Sequence, residues 1–323
     1  MNKVCTLAEA IKTYVHSGDY LSFGGFTTNR KPIAAVHEII RQGQTDFIAE
    51  GGPAGSEWDM LIGAGRVRAY INCYTANPRF SNISRRFRAA IERGELTFED
   101  YSQDAAMMMF HAASLGLPYV PVRFMMGSGL EDEWGISKEV RKTIDKLPND
   151  KFIIQENPFN PGEKLLLLPV PKLDTAIIHV QMASHDGTCR IFGDEYHDID
   201  IAISSKHCIV TCEELVSDEE IRREPSLNSI PGFVVDAVVH LPYGAHPSQC
   251  YRYYDYDKQF YFDYEDYGKS DEAFHAFLDE WVYAPKDHDA YLDKLGAARL
   301  LKLRATPGLG YAYSQSAQRE EAN

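Results

Sequence analysis

Near the start of the chain apolar positions recur at helical spacing. Leu7, Ile11, Tyr14 and Val15 follow the capping-box pattern Thr6-Leu7-Ala8-Glu9, and Gly18 stops the run. The period then shortens. Tyr20-Leu21-Ser22-Phe23 reads as a strand running into Gly24-Gly25-Phe26-Thr27-Thr28, and Pro32 suits the first turn of a helix carried by Ile33, Val36, Ile39 and Ile40. A second strand, Asp46-Phe47-Ile48-Ala49, runs into Glu50-Gly51-Gly52-Pro53-Ala54-Gly55. Further strands are predicted at 68–73, 120–124, 164–170, 175–179, 208–211 and 233–239. Several are near-continuous apolar runs, as in strands covered on both faces. Helices are predicted at 83–91, 104–115, 271–282 and 289–301.

Helices alternating with strands that end in glycine turns predict an α/β fold. The sheet is expected to be open and mainly parallel, with helices on both faces and ligands at the strand carboxyl ends. With no repeat of 20–50 residues and no Ser/Gly linker, residues 1–323 are expected to form one domain. The interleaved tyrosines and aspartates of 251–267 read either as an aromatic arm laid over the body with wet hydroxyls or as a contact with another chain. The tail 314–323 is expected to fray.

Composition changes this picture in one respect. A 44% hydrophobic, 25% charged chain has ample core material, but its net charge of −14 repels phosphate backbones and anionic membranes. Neither nucleic acid nor a membrane is therefore expected as a partner. An anionic small molecule needs a local basic patch or a second chain. The one dense basic cluster, Arg85, Arg86 and Arg88, reads as a helix face pairing with nearby acids, with a phosphate contact as the alternative. The six cysteines (Cys5, Cys73, Cys189, Cys208, Cys212, Cys250) show no CxxC pair and no accompanying histidine spacing. They predict reduced thiols in a soluble cytoplasmic protein and no metal site. No signal-peptide core and no 18-residue apolar run is present.

Four strand-end loops are the candidates for chemistry. The 24–28 turn offers backbone N–H groups to an anion, or is simply a turn. Glu50, at a strand tip before glycines, has the placing of an acyl-transfer nucleophile, or of a local cap. Gly127-Ser128-Gly129 follows the strand at 120–124, and His246, between Ala245 and Pro247, either orients a substrate carboxylate or satisfies a backbone carbonyl. GxGxxG, GxxxxGK[ST] and GxSxG are all missing, so dinucleotide, P-loop and serine-hydrolase readings lack support.

At this point long collinear segments carry a resemblance: SGDYLSFGGFTTNRKP (17–32), WDMLIGAGRVRAYINCYTAN (58–77), EDYSQD (99–104), DEWGISKEVRKTIDKLPNDKF (132–152), IVTCEELVSDEEIRREP (209–225) and DAVVHLPYGAHPSQCYRYYDYD (236–257). They are similar to the alpha subunits of class I CoA-transferases of the glutaconate type, from about residue 2 to residue 312. The resemblance implies αβ units in a hetero-oligomer that move CoA from acetyl-CoA or a similar donor to glutaconate or a related dicarboxylic acid, within glutamate fermentation by the hydroxyglutarate pathway. It implies a CoA thioester as co-substrate, no permanently bound cofactor, and a nucleophilic glutamate on the beta subunit.

The substrate wall expected of this chain is Gly25, Phe26, Thr27, Thr28, Gly51, Gly52, Gln103, Gly127, Ser128, Gly129 and His246. Glu50 departs from an alpha chain's pattern because it sits in an E-x-G-x-x-G stretch similar to the family's catalytic motif. It reads as a covalent nucleophile or as a half-site echo that packs or binds substrate. The alternatives to transfer are a thioester or ring-opening C–C hydrolase on the same fold, and a non-catalytic structural subunit. Gln103, where some ring-opening relatives carry glutamate, favours transfer.

Overall fold

Successive residues of a strand point to opposite faces of the sheet, so the near-continuous apolar runs of the first strands feed a core on each side. The computed structural model describes residues 2–132 and 135–312. Four parallel strands come first: β1 (Tyr20–Phe23), β2 (Phe47–Glu50), β3 (Val67–Asn72) and β4 (Thr97–Asp100). A separate antiparallel sheet follows, β5 (Tyr119–Val122), β6 (Ile153–Glu156) and β7 (Lys164–Pro169), in the order β5-β7-β6. The chain then returns to the main sheet with β8 (Thr175–Ser184), β9 (Cys189–Arg190), β10 (His207–Val216) and β11 (Ala237–His240). The main order is β11-β10-β8-β1-β2-β3-β4, with all seven strands parallel and β9 antiparallel on β8.

Leu21, Phe23, Phe47, Ala49, Tyr70, Ile177 and Ile209 face one core, which the helices Leu7–Tyr14, Ile33–Gln42 and Ser56–Gly63 complete. Tyr20, Ile48, Ile71, Ile178 and Val210 face the other, covered by the helices Gln103–Ser114 and Asp198–Ser204 and by the antiparallel sheet. The expected open, mainly parallel α/β sheet with helices on both faces is thus the observed architecture. The first helix begins as its sequence requires: Thr6 Oγ1 accepts from Glu9 N at 3.2 Å, and Glu9 Oε2 accepts from Thr6 N at 3.0 Å.

Several expectations need correction. The strands at 120–124 and 164–170 lie in the antiparallel sheet, their apolar side covering the second core instead of extending the parallel sheet. β8 and β10 run to ten residues each, past the points where their apolar runs stop. They continue because buried polar side chains pair inside the sheet: His179 bonds Thr211 Oγ1 at 2.8 Å and Glu213 Oε1 at 2.7 Å. The strand expected at 233–239 is preceded by a 3-10 turn at Gly232–Val234, so β11 is short. The helix expected at 289–301 breaks at Gly296 into His288–Leu295 and Ala297–Leu303.

The 251–267 segment is not a wet arm. Lys258–Tyr267 is a helix whose Phe260, Tyr261 and Tyr264 are buried, and the Tyr264 hydroxyl donates to Asp59 Oδ2 at 2.7 Å. Buried tyrosines need such partners, and here they come from elsewhere in the chain: Asp59 for Tyr264, Glu213 for Tyr254 and the Ser248 hydroxyl for Tyr261. The 314–323 tail lies outside the described residues.

Candidate functional site

Strand order reverses between β1 and β8, and in open α/β sheets the crevice for ligands opens at the carboxyl ends beside such a switch point. β1 ends there in the two glycines. Gly24 N donates to Ile177 O of β8 at 3.0 Å, and Gly25 N donates to Asp198 Oδ1 at 2.6 Å. Only glycine fits: a Cβ at 24 would lie 2.4 Å from Asp198 Oδ1, and one at 25, where φ is +77°, 2.3 Å from Asn29 O.

Three of the four expected loops meet beyond this point. Thr27 N donates to Pro53 O at 2.9 Å, Gln249 N to Thr28 O at 3.0 Å, and Ala34 N to Gly244 O at 3.0 Å. Phe26 N closes its own turn onto Asn29 O at 2.9 Å, its ring stacks on Tyr196 with centroids 4.7 Å apart, and Gly51 N bonds Ile71 O at 3.3 Å. The amides of Gly25, Phe26, Thr27 and Gly51 are therefore engaged within the fold, not offered to an anion. Their work is to fix the wall.

Behind the wall lie charges that sequence reasoning missed. Arg30 and Asp198 form an ion pair of 2.6 Å with no exposure on either side, and Arg30 also donates to His179 O at 3.0 Å and Asp194 O at 2.8 Å. Lys31 pairs with Glu57 at 2.9 Å and donates to Gly25 O at 3.1 Å. His197 bonds Phe23 O at 3.1 Å, and burial pushes it down to about 4, so it is neutral. Its side chain and that of Met107 close over Gly52. The available signals were the Arg30-Lys31 pair directly after the glycine turn and the His197-Asp198 pair opening a helix.

Glu50 ends β2 with the side-chain parity of Ile48, so it points into the second core and is fully buried. Its Oε2 accepts from the Tyr20 hydroxyl, while Oε1 is buried without a hydrogen-bond partner. Burial pushes the carboxyl up to about 8; the Tyr20 hydrogen bond opposes this, and the charge of Glu99 adds to it. Glu99 is held in turn by Arg141 and by Ile136 N.

The remaining expected residues are dispersed. Gln103 is exposed in the first turn of the helix over the 50–55 loop. Gly127, Ser128 and Gly129 are exposed beyond β5, where Gly127 N donates to Glu131 Oε2 at 2.6 Å and Ser128 Oγ to Met125 O at 2.6 Å. His246 is buried with both ring nitrogens committed, to the Tyr291 hydroxyl at 2.7 Å and Asp257 Oδ2 at 3.0 Å. Arg85, Arg86 and Arg88 each meet an acid: Glu265 at 2.9 Å, Asp271, and Glu92 at 2.7 Å. His179, Glu213 and Cys250 cluster as metal-type donors, but both nitrogens of His179 are bonded, and Glu213 also accepts from Tyr254 Oη and Tyr243 N. A largely apolar cleft of about 390 Å³, lined by Cys73, Tyr74, Phe87, Phe98 and Asp100, opens at the ends of β3 and β4. It adjoins the 50–55 loop through Ala54 N, which donates to Tyr74 O at 2.9 Å.

A parallel sheet with its loops gathered at the switch point defines an open α/β protein with a ligand edge. The family model for coenzyme A transferase matches residues 4–241, and the chain belongs to that family. It is similar to the A-type half of glutaconate CoA-transferase of Acidaminococcus fermentans, 63% identical over 96% of this chain and 97% of that one. It is similar also to the A-type half of 3-oxoadipate CoA-transferase of Pseudomonas knackmussii, 33% identical over 93% of this chain and 100% of that one. The crystal structure of the Acidaminococcus fermentans glutaconate CoA-transferase superposes with a TM-score of 0.95 at 62% identity, covering 98% of this chain and 99% of the other. Among the described residues no helix is long and apolar enough to cross a membrane.

Proposed function

We propose that this chain is the alpha-type half of a cytoplasmic two-chain enzyme that moves CoA from acetyl-CoA or a similar donor to glutaconate or a related dicarboxylic acid. The substrate class rests on the nearly full-length likeness to the A-type half of glutaconate CoA-transferase. The need for a second chain rests on Glu50. The only acid at the tip of β2 is buried, and its carboxyl is pushed up to about 8, so at neutral pH it is mostly protonated and a poor nucleophile.

The beta-type partner then supplies the reactive glutamate. Its carboxylate attacks the donor thioester carbonyl, giving a mixed anhydride and releasing CoA thiolate. The thiolate attacks the glutamyl carbonyl, expelling the donor acid and leaving a glutamyl-CoA thioester. The acceptor carboxylate then attacks this thioester, and the released thiolate takes the acceptor's acyl group while the glutamate is regenerated. This chain contributes the wall at 24–28, 50–55 and 244–248, and the apolar cleft beside Ala54 suits the carbon chain of the acid.

The test is an assay with acetyl-CoA and glutaconate, using the chain alone and co-expressed with its beta-type partner. Glutaconyl-CoA formed only by the pair, with borohydride reducing a glutamate of the partner, supports the reading. Full transfer by the isolated chain, or net release of free CoA by the pair, defeats it.

A further inference from the structure

An acidic chain that handles a polyanionic co-substrate needs local positive charge, and Arg85, Arg86 and Arg88 are all paired with acids. Two other arginines are not. Arg252 and Arg304 line one cleft of about 610 Å³, together with Phe192, Glu214, Tyr251 and Thr306. Among the described residues neither guanidinium has a carboxylate within ion-pair distance.

The cleft is held in shape. Arg252 adopts φ +75°, an uncommon conformation for a residue with a side chain, and its N–H donates to Gly310 O at 3.0 Å. Its guanidinium carbon lies 4.3 Å from the centroid of the Phe192 ring and 5.9 Å from that of Tyr251. Stacking on an aromatic face leaves the in-plane N–H edge of a guanidinium free, the geometry that meets a phosphate with two parallel hydrogen bonds. The opposite wall is the 306–310 turn, where Thr306 N donates to Tyr311 O at 2.8 Å and Gly308 is open to the outside. Glu214 is the one acid in the lining, and its Oε2 already accepts from the Tyr253 hydroxyl at 2.7 Å. Two cations against one acid leave the cleft positive on a protein whose total charge is −14.

We propose that the Arg252–Arg304 cleft is a binding site for a phosphate-bearing anion. It joins the wall already described through the 245–252 segment, since Arg30 N donates to Gln249 O at 2.8 Å and Gln181 Nε2 donates to Tyr251 O at 3.3 Å. The phosphate chemistry has two sources, free inorganic phosphates and the 3′-phosphorylated nucleotide end of CoA. The CoA source rests on the transferase reading and the phosphate source does not; because binding is measured without turnover, failure of the site and failure of that reading are told apart.

The experiment is calorimetric titration of the full chain at low salt with inorganic pyrophosphate, CoA and dephospho-CoA. It compares wild type, Arg252→Ala, Arg304→Ala and, as control, Arg223→Ala, an exposed arginine paired with Glu219. Saturable binding that falls at least about tenfold in Arg252→Ala and in Arg304→Ala, but not in Arg223→Ala, upholds the site. Pyrophosphate bound as tightly as CoA assigns it to free phosphates. CoA bound more tightly than pyrophosphate and dephospho-CoA assigns it to the nucleotide end. No saturable binding of any of the three, or binding indifferent to both arginines, overturns it. Arg304→Ala, at an exposed position, keeps the test open if Arg252→Ala perturbs the fold.

Discussion

The guanidinium of Arg30 and the carboxylate of Asp198 stand 2.6 Å apart with no solvent on either, and Asp198 also accepts the Gly25 amide at 2.6 Å. One carboxylate thus neutralises a buried cation and anchors the turn at the switch point. Removing it leaves the cation uncompensated in a low-dielectric setting, which costs about 3–5 kcal/mol. Asp198→Ala is therefore expected to lower the urea midpoint sharply. Asp198→Asn keeps an acceptor for Gly25 N and is expected to lose less. Equal midpoints for Asp198→Ala and wild type would show that the pair contributes nothing.

Gly25→Ala meets two obstacles at once: φ of +77°, and a Cβ placed 2.3 Å from Asn29 O and 2.7 Å from Arg30 O. Backbone atoms cannot swing aside as a side-chain end can, so strain and overlap together are expected to cost about 2–5 kcal/mol. Gly65→Ala isolates the first obstacle, because φ is +67° there and nothing lies within 4 Å. It is expected to cost about 1–2 kcal/mol. Thermal unfolding of both variants checks the ranking, and a Gly65 variant less stable than the Gly25 variant refutes it.

What the sequence revealed follows from how local each signal is. Thr6 with Glu9, and the short apolar runs of β1 and β2 that stop at glycines, are set by neighbours in the chain, and both lie where expected. β4 was missed because Thr97-Phe98-Glu99-Asp100 looks polar; Glu99 is buried only because Arg141, 42 residues on, pairs with it. The same non-locality hid Asp198, whose partners Gly25 and Arg30 lie 173 and 168 positions away by number. The 24–28, 50–55 and 244–248 loops were legible as a group because each marks a strand end with small residues. His246 looked available because its commitments to Tyr291 and Asp257 are invisible in its flanks.

Glu50→Gln separates the two roles of that residue. A carboxyl pushed up to about 8 is already mostly neutral at pH 7, so the amide preserves its charge state and its bond from Tyr20. The paired enzyme carrying Glu50→Gln is expected to keep its transfer rate within a few-fold. A covalent nucleophile would instead lose at least about a thousandfold, since an amide cannot form the anhydride. A rate loss of that size with unchanged stability would move the nucleophile to this chain.

The same burial sets how stability depends on pH. Four histidines, His37, His197, His246 and His288, are lowered chiefly by burial, so the folded chain releases protons that the unfolded chain holds below about pH 6.5. Stability must then be lost as pH falls through that value. Four carboxyls oppose this: burial raises Glu50 to about 8 and Asp59 to about 6, and raises Asp100 and Glu265 as well, so each holds its proton in the folded chain to a higher pH than in the unfolded one. Just below pH 6.5 the histidine contribution leaves the unfolded state richer in protons, so stability falls as the solution is acidified through that window. Above about pH 7 the histidines are largely neutral in both states, and Glu50 makes stability decline until about pH 8, beyond which the six cysteines, all raised by burial, carry the decline on. Unfolding free energies measured from pH 6 to 8 should peak close to pH 6.5–7. Glu50→Gln should make the decline between pH 7 and 8 shallower while leaving the fall below pH 6.5 in place, and a pH 7–8 limb unchanged by that substitution would contradict the assignment of the proton to Glu50.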